Sequence, residues 1–490
     1  MLTDLANGDL PPSVRPPSSR PLSFWPRVRE FAVPPSMIET ATARRRAGDW
    51  AGACAAANID VDLRPRLLAR RHGREFAALL RADLRHLAPD LLRWHMPRIA
   101  PDGLLRPGLT LTLARYGTGA EALHLVARTP PAWADAGQRI SLALWDASRR
   151  HGTDRRHPHP RPSRRFRLDL HRHLWDARRA GELRARSGGG GPGPETAGPP
   201  PDGLPPYGPL LAGLGPDRLP PEEPLLAGPL PAGLPLPDGK RCAVDRWAAE
   251  AAILLRAEGR SGGRVGVRLG ARHRVVLDLS DDGEPTALSY ARAPDPSLPV
   301  LPDAATWVLP DLELLRAGAI DAGRLHPLVA SALGAERAGT SRAPGRAADP
   351  RVVQCRGARH RIGLVDGVLA ALDHDPAEVR REELLAAFGG PPLPCLRAVD
   401  DAHRRPDCLP GVRERLHHGD IAGALAAVES LLGPEAVLRD GPLRDVLETA
   451  ARRRIAHGLF RAGLEGPSPG SLRPWDRRRS RGDGPHPRHM

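Results

Sequence analysis

Cysteine and histidine gather in one stretch near the end of the chain, at Cys395, His403, Cys408, His417 and His418. Thiolate plus imidazole is a donor set that suits zinc. The spacing argues against a metal, because no two of these residues stand as the close pair that a zinc knuckle or ribbon requires. Buried thiols and surface imidazoles are the expectation instead. His157-Pro158-His159 and His171-Arg172-His173 place histidines at alternate positions, which share a face on a strand. The arginines around them would repel a divalent cation. Asp278 to Gly283 copies the first half of a calcium loop, but Ser289 occupies the position where a bidentate Glu is needed. A Gly-closed turn between strands is expected there. Gly259-Arg260-Ser261-Gly262-Gly263 satisfies G-x-S-x-G, yet the pattern predicts a helix before it and a strand after it. That is the reverse of a nucleophile elbow. The only lysine, Lys240, is followed by Arg241, so no phosphate-cradling G-K-[ST] loop exists. No dinucleotide fingerprint follows a credible strand. The expectation is a protein with no catalytic residue, no metal ligand and no cofactor, and not an enzyme.

Charge is the remaining lead. The chain carries a formal +15, and most of it is local. Residues 149–167 hold eight arginines against Asp154, a net +7, and residues 467–490 hold six arginines against Asp476 and Asp483, a net +4. Basic arms of this kind neutralise phosphates and release counterions without reading sequence. Arg149, Arg150, Arg155, Arg156, Arg164 and Arg165 in the first arm, and Arg477, Arg478 and Arg479 in the second, are the candidate nucleic-acid contacts. Phe166, Trp175 and Trp475 are too sparse to form a stacking platform. Arginine is also the default polar residue of a chain rich in Ala, Gly, Pro and Arg, the residues of GC-rich codons. In this respect the chain resembles the many uncharacterised proteins of actinomycete-type bacteria, a likeness that implies no activity.

The 490 residues suggest about two to four domains. Low Phe, Tyr and Met counts leave Leu, Val and Ala to build the cores. No run approaches the roughly 18 apolar residues of a membrane helix. The first twenty residues carry Asp4, Asp9 and several prolines and no apolar stretch of a secretory signal. Five scattered cysteines (Cys54, Cys242, Cys355, Cys395, Cys408) fit reduced thiols in a cytoplasm. Periodicity divides the chain into a disordered leader 1–34, an N-terminal α+β domain 35–184 and a Pro/Gly-rich linker 185–239. A middle α+β block 240–335, a spacer 336–350, a mainly helical domain 351–466 and a basic disordered tail 467–490 follow. Phe76, Leu80, Leu84, Leu87 and Leu91 predict a long helix from about 65, broken or kinked at Pro89. Leu109, Leu111 and Leu113 alternate with threonines and predict a hairpin that returns through Leu123 and Leu125. Strands are predicted at 140–145, 166–170, 265–269 and 274–279, and a helical stretch over 312–333. Asp375 and Pro376 open a helix that stops at Gly389-Gly390. Pro442 opens another, with an apolar stripe Leu443, Leu447, Ala451, Ile455 and Leu459. The fold class expected is α+β, mainly helical, in several small blocks of helical hairpins and short antiparallel β-hairpins between disordered linkers.

Two echoes organise the chain. Gly48-Asp49-Trp50-Ala51-Gly52-Ala53-Cys54-Ala55-Ala56 returns as Gly419-Asp420-Ile421-Ala422-Gly423-Ala424-Leu425-Ala426-Ala427, with seven of nine residues identical. Gly270 to Leu277 is matched by Gly357 to Leu364, a Gly turn followed by a basic strand in both. The first echo resembles the turn of a tetratricopeptide-type helical hairpin, in which a Gly-Asp-aromatic step reverses the chain and a later alanine lets the helices approach. Gly48, Asp49, Trp50 and Ala53 fit it. In the second copy Gly419, Asp420 and Ala424 fit, and Ile421 replaces the aromatic. No tandem period of about 34 residues links the copies, so the resemblance implies a helical hairpin at each end and not a repeat array. Asp49 and Asp420 read as helix caps. The function expected is a non-enzymatic interaction or scaffold protein with a protein partner. The alternative is sequence-independent nucleic-acid binding through the two arms.

Overall fold

The structure, a computed structural model, describes residues 24–187 except 118, 120, 121, 136, 147 and 149–156, residues 241–334 except 271, 272, 292 and 294, and residues 351–464. The leader up to 23, the tract 188–240, the spacer 335–350 and the tail from 465 lie outside the described residues.

In the first body, α1 (Trp25–Arg27) runs through a π turn into α2 (Pro35–Arg46) and α3 (Trp50–Ala56), followed by β1 (Ile59–Val61). The long helix expected next is three: α4 (Pro65–His72), α5 (Arg74–His86) and α6 (Pro89–His95). Gly73 breaks the first junction at φ +92°. Leu87 and Ala88 are extended, so Pro89 opens α6 at a position where its missing N–H has no cost. β2 (Arg98–Ile99) pairs with β3 (Leu104–Leu105). The expected hairpin is β4 (Thr110–Tyr116) with β5 (Leu123–Arg128), and β6 (Ile140–Asp146) pairs beyond β5. The sheet order is β1-β6-β5-β4, antiparallel except for β1 beside β6. Residues 166–170 do not form the expected strand. Only Arg167 bridges to Thr112, because the segment turns at His171 toward α7 (Glu182–Arg186).

The middle body packs α8 (Trp247–Ala257) on the meander β7 (Gly263–Arg268), β8 (Arg274–Leu279) and β9 (Pro285–Tyr290), closed by α9 (Asp303–Thr306). Trp247, Leu255, Val265, Val267, Leu277 and Leu301 form its core. The helical stretch expected over 312–333 is α10 (Pro310–Arg316) and α11 (Pro327–Leu333), separated at Gly318 and a short 3-10 turn. These two helices leave the middle body. Leu314, Ile320, Leu325 and Val329 pack into the first core with Leu80, Leu91, Trp94 and Leu174. Trp94 Nε1 donates to Asp311 at 2.8 Å, and His326 Nε2 lies 2.7 Å from Asp90 with both side chains 1% exposed. Packing therefore joins α10 and α11 to the first body, ahead of the third body that begins at Arg351.

The third body begins with the meander β10 (Arg351–Cys355), β11 (Ala358–Val365) and β12 (Val368–Ala371), then α12 (Pro376–Ala387) and α13 (Pro394–Arg404). α14 (Leu409–His418), α15 (Ile421–Leu432) and α16 (Pro442–Ala462) complete it, around Val412, Leu416, Ala424, Leu432 and Leu443. The second sequence echo places β8 and β11 alike, each as the middle strand of a three-stranded meander. The stripe expected on α16 is not its buried face. Leu443 is buried but Ile455 is 63% exposed, and His457, Phe460 and Arg461 instead meet the first body. Among the described residues the fold is α+β and mainly helical, and no helix is long and apolar enough to cross a membrane.

Candidate functional site

The two Gly-Asp corners are built alike. Asp49 has φ −82° and ψ 72°, Asp420 has φ −81° and ψ 68°, and each follows a glycine with positive φ. Asp49 accepts the Gly52 N–H at 2.8 Å, and Asp420 accepts that of Gly423 at 2.9 Å, so both are helix caps. An arginine five residues upstream, Arg44 or Arg415, donates to the other carboxylate oxygen. The glycine three residues on is needed because the carboxylate occupies the space where its Cβ would stand.

Their surroundings differ. A side chain at Gly48 would meet nothing within 4 Å, whereas Gly419 presses on the backbone of Gly137 and its carbonyl accepts Asn58 Nδ2–H at 2.9 Å. The fully buried Arg93 donates to three carbonyls from separate segments, those of Ala32 at 2.9 Å, Gln138 at 2.5 Å and His418 at 2.8 Å. Arg415 lies over Phe31, Trp133 meets Phe460 edge-on at 5.2 Å, and Arg461 reaches Asp60 at 3.1 Å. The second corner is thus the plug by which the third body seats on the first.

A cleft of about 180 Å³ lies along this seat and is lined by Asp60, Asp62, Arg139, His457, Phe460 and Arg461. Burial pushes the Asp60 carboxyl up, but His457, the bidentate Arg139 at 2.6 and 3.0 Å and Arg461 outweigh it and hold it well below the usual carboxylate range. A carboxylate so paired fastens α16 to the sheet and has no proton to give near neutral pH.

Two histidines make this packing sensitive to acid. Burial, opposed by Asp311, holds His95 down to about 4. Burial together with Arg98, His417, Arg93 and Arg27 holds His418 down to about 3, with Glu414 3.7 Å away. Both folded values lie below the roughly 6.5 of a free imidazole. As pH falls through 6.5 the unfolded chain takes up protons that the folded chain refuses, and stability present above that pH is lost. Chemical denaturation should show a loss of about 2 kcal/mol per histidine between pH 7 and pH 5. His418→Gln should remove its share, and a wild-type midpoint unchanged over that interval would refute the assignment.

Of the candidate nucleic-acid contacts, Arg149, Arg150, Arg155, Arg156, Arg477, Arg478 and Arg479 lie outside the described residues. Arg164 and Arg165 are described, and both make hydrogen bonds within the chain. Arg164 donates to the carbonyls of Pro296 and Leu298 at 2.6 and 2.8 Å, and Arg165 grips Asp303 with two hydrogen bonds at 2.5 and 2.8 Å. Next to them Arg167 binds Asp169 and Glu258, and Arg186 binds Glu250. This end of the arm is the seam between the first and middle bodies.

One histidine of each pair is engaged as well. His157 Nε2 lies 2.9 Å from the Thr129 carbonyl, His159 is exposed, His171 is 3.1 Å from Glu250, and His173 is buried. Ser261 sits between α8 and β7 and donates to Asp281, and Asp278 to Gly283 ends β8 and turns toward β9. Cys395, His403, Cys408 and His417 do not converge. Among the described residues one group brings metal-type donors together, Cys355, His374 and Cys395, with their donor atoms within 4.8 Å of one another. Spacings of 19 and 21 positions hide this group from any motif scan. The available signal was a cysteine at the end of the first strand of a meander.

Comparison of the chain with protein families, with curated proteins and with solved structures finds no match.

Proposed function

We propose that the chain is a cytoplasmic, non-enzymatic interaction protein that offers α12 to an apolar groove on a protein partner. The observation that carries this reading is α12 itself, which buries none of its residues. Leu384 and Leu385 are 56% and 57% exposed, and Phe388 just beyond the helix is 89% exposed. Scattered exposed apolar residues are ordinary, but three within five positions on an otherwise uncovered helix are the pattern of a contact surface. The helix is held at its foot. Asp375 caps it by accepting the Ala377 N–H at 3.0 Å, and Arg356 pairs with Glu378 and Glu382.

The triple substitution Leu384→Glu, Leu385→Glu, Phe388→Glu should lower recovery of a co-purifying partner by about tenfold or more. Stability should stay within about 0.5 kcal/mol of the wild type, since these side chains touch no core. Equal recovery of the same partner by both proteins would end the reading. Nucleic-acid binding is the weaker alternative because Arg164 and Arg165 already have partners. A salt-sensitive gel shift that disappears on deleting 149–156 and 467–490 would reverse that ranking.

A further inference from the structure

Cys355 closes β10, Cys395 stands in the first turn of α13, and His374 lies one residue before the Asp375 cap of α12. The two cysteines are 1% and 0% exposed and the His374 side chain 4%. His374 Nδ1 faces Glu378 Oε2 at 3.6 Å, while its Nε2 is buried with no hydrogen-bond partner. His360 stacks on the His374 ring at 4.2 Å.

A buried thiol alone is an ordinary small apolar filler. An imidazole nitrogen buried without a partner is not, since leaving it so costs about 1–3 kcal/mol. The local core gives no compensation. Of residues 351–390 only Cys355 and Ile362 are buried, and Leu393 and Cys395 are the next. A unit of about 40 residues with so little apolar filling generally depends on a disulfide or a metal.

We propose that Cys355, His374 and Cys395 bind one zinc ion, which staples the β10–β12 sheet to α13 and to the foot of α12. Two soft thiolates and an imidazole are the donors zinc favours, and Glu378 on the far nitrogen is the outer carboxylate that commonly orients a ligating histidine. Donor atoms around tetrahedral zinc stand about 3.4–3.8 Å apart, so a closure of about 1 Å brings these three into place. Water or His360 takes the fourth position. Burial and the neighbouring Cys355 thiol push Cys395 up to about 11, so binding must expel both thiol protons and release them to solvent. The site does not depend on α12 being an interaction surface.

The full chain, purified under reducing conditions and stripped with a chelator, should take up one Zn²⁺ per chain at micromolar concentration. Co²⁺ in its place should show thiolate charge-transfer absorption. Cys355→Ala, Cys395→Ala and His374→Ala should each reduce the stoichiometry from one to none, while Cys408→Ala keeps it at one. Circular dichroism of each variant at low temperature separates loss of the site from loss of the fold. Variants that stay folded and still bind zinc would overturn the proposal, as would a folded wild type that binds none. A Cys355–Cys395 disulfide in protein isolated without added oxidant would also overturn it. Co-purification of a partner is unaffected by these outcomes and is tested separately by the α12 substitutions.

Discussion

Gly419→Ala should unseat the third body from the first, whereas Gly48→Ala should cost only about 1–2 kcal/mol. Both glycines sit in the left-handed region, at φ +89° and +78°, so both substitutions carry the same backbone strain. Only at 419 does the added methyl meet anything. It would stand 1.9 Å from the Gly137 carbonyl oxygen, with Arg93 Nη2 3.2 Å from it. That backbone cannot retreat easily, because Arg93 holds the next carbonyl, Gln138, and Asp135 accepts the Gln138 N–H at 3.0 Å. Overpacking of about 1–3 kcal/mol therefore adds to the strain. Moving the corner away also strips Asn58 and Arg93 of their carbonyl partners. The variant should show a new early transition on calorimetry and easier proteolytic release of 351–464. Identical melting of the two variants would mean that the second corner is not the seat.

Glu250→Ala should be the most damaging single change at the other seam, at about 3–5 kcal/mol. The carboxylate is 4% exposed, accepts two hydrogen bonds from Arg186 at 2.5 and 2.6 Å, and lies 3.1 Å from His171 and 3.4 Å from Arg246. Burial pushes its pKa up, but His171 and Arg186 outweigh this and leave it at about 2. Removing it leaves cations facing one another between α7 and α8, a larger loss than the interaction itself supplied. Glu250→Gln keeps the shape and part of the hydrogen bonding, and should fall between Ala and wild type. Urea midpoints of the three proteins measure this, and Ala within about 1 kcal/mol of wild type would show that the seam does not rest on Glu250.

Local structure was largely legible in the sequence. Gly48-Asp49 and Gly419-Asp420 announced two corners with capped helices, and alternating leucines announced β4 and β5. Asp375-Pro376 marked the start of α12 and Pro442 that of α16. What the sequence hid were relations between distant segments. The apolar period from Phe76 to Leu91 runs through Leu87 and Ala88 without showing that the backbone is extended there. On α16 the leucine stripe was the obvious face, yet the docking contacts come from His457, Phe460 and Arg461. The arginines at 164 and 165 look like any solvated pair until Asp303 and the Pro296 carbonyl are brought beside them. Cys355, His374 and Cys395 carry no shared spacing, since three different elements bring them together.

The return of α10 and α11 to the first core also bears on synthesis. Asp90 and His326 are separated by 236 positions, and Trp94 and Asp311 by 217. At about 5–20 residues per second, a ribosome takes roughly 10–50 s to deliver the later partners. For that interval the emerging first body has an open slot where Leu314, Ile320 and Val329 will pack, with Asp90 and the Trp94 indole still bonded to water. The middle body, made in between, completes its own core before it can carry the closing helices home. Nascent chains of this protein should therefore be most prone to aggregation, and most in need of a chaperone, before residue 334 leaves the exit tunnel.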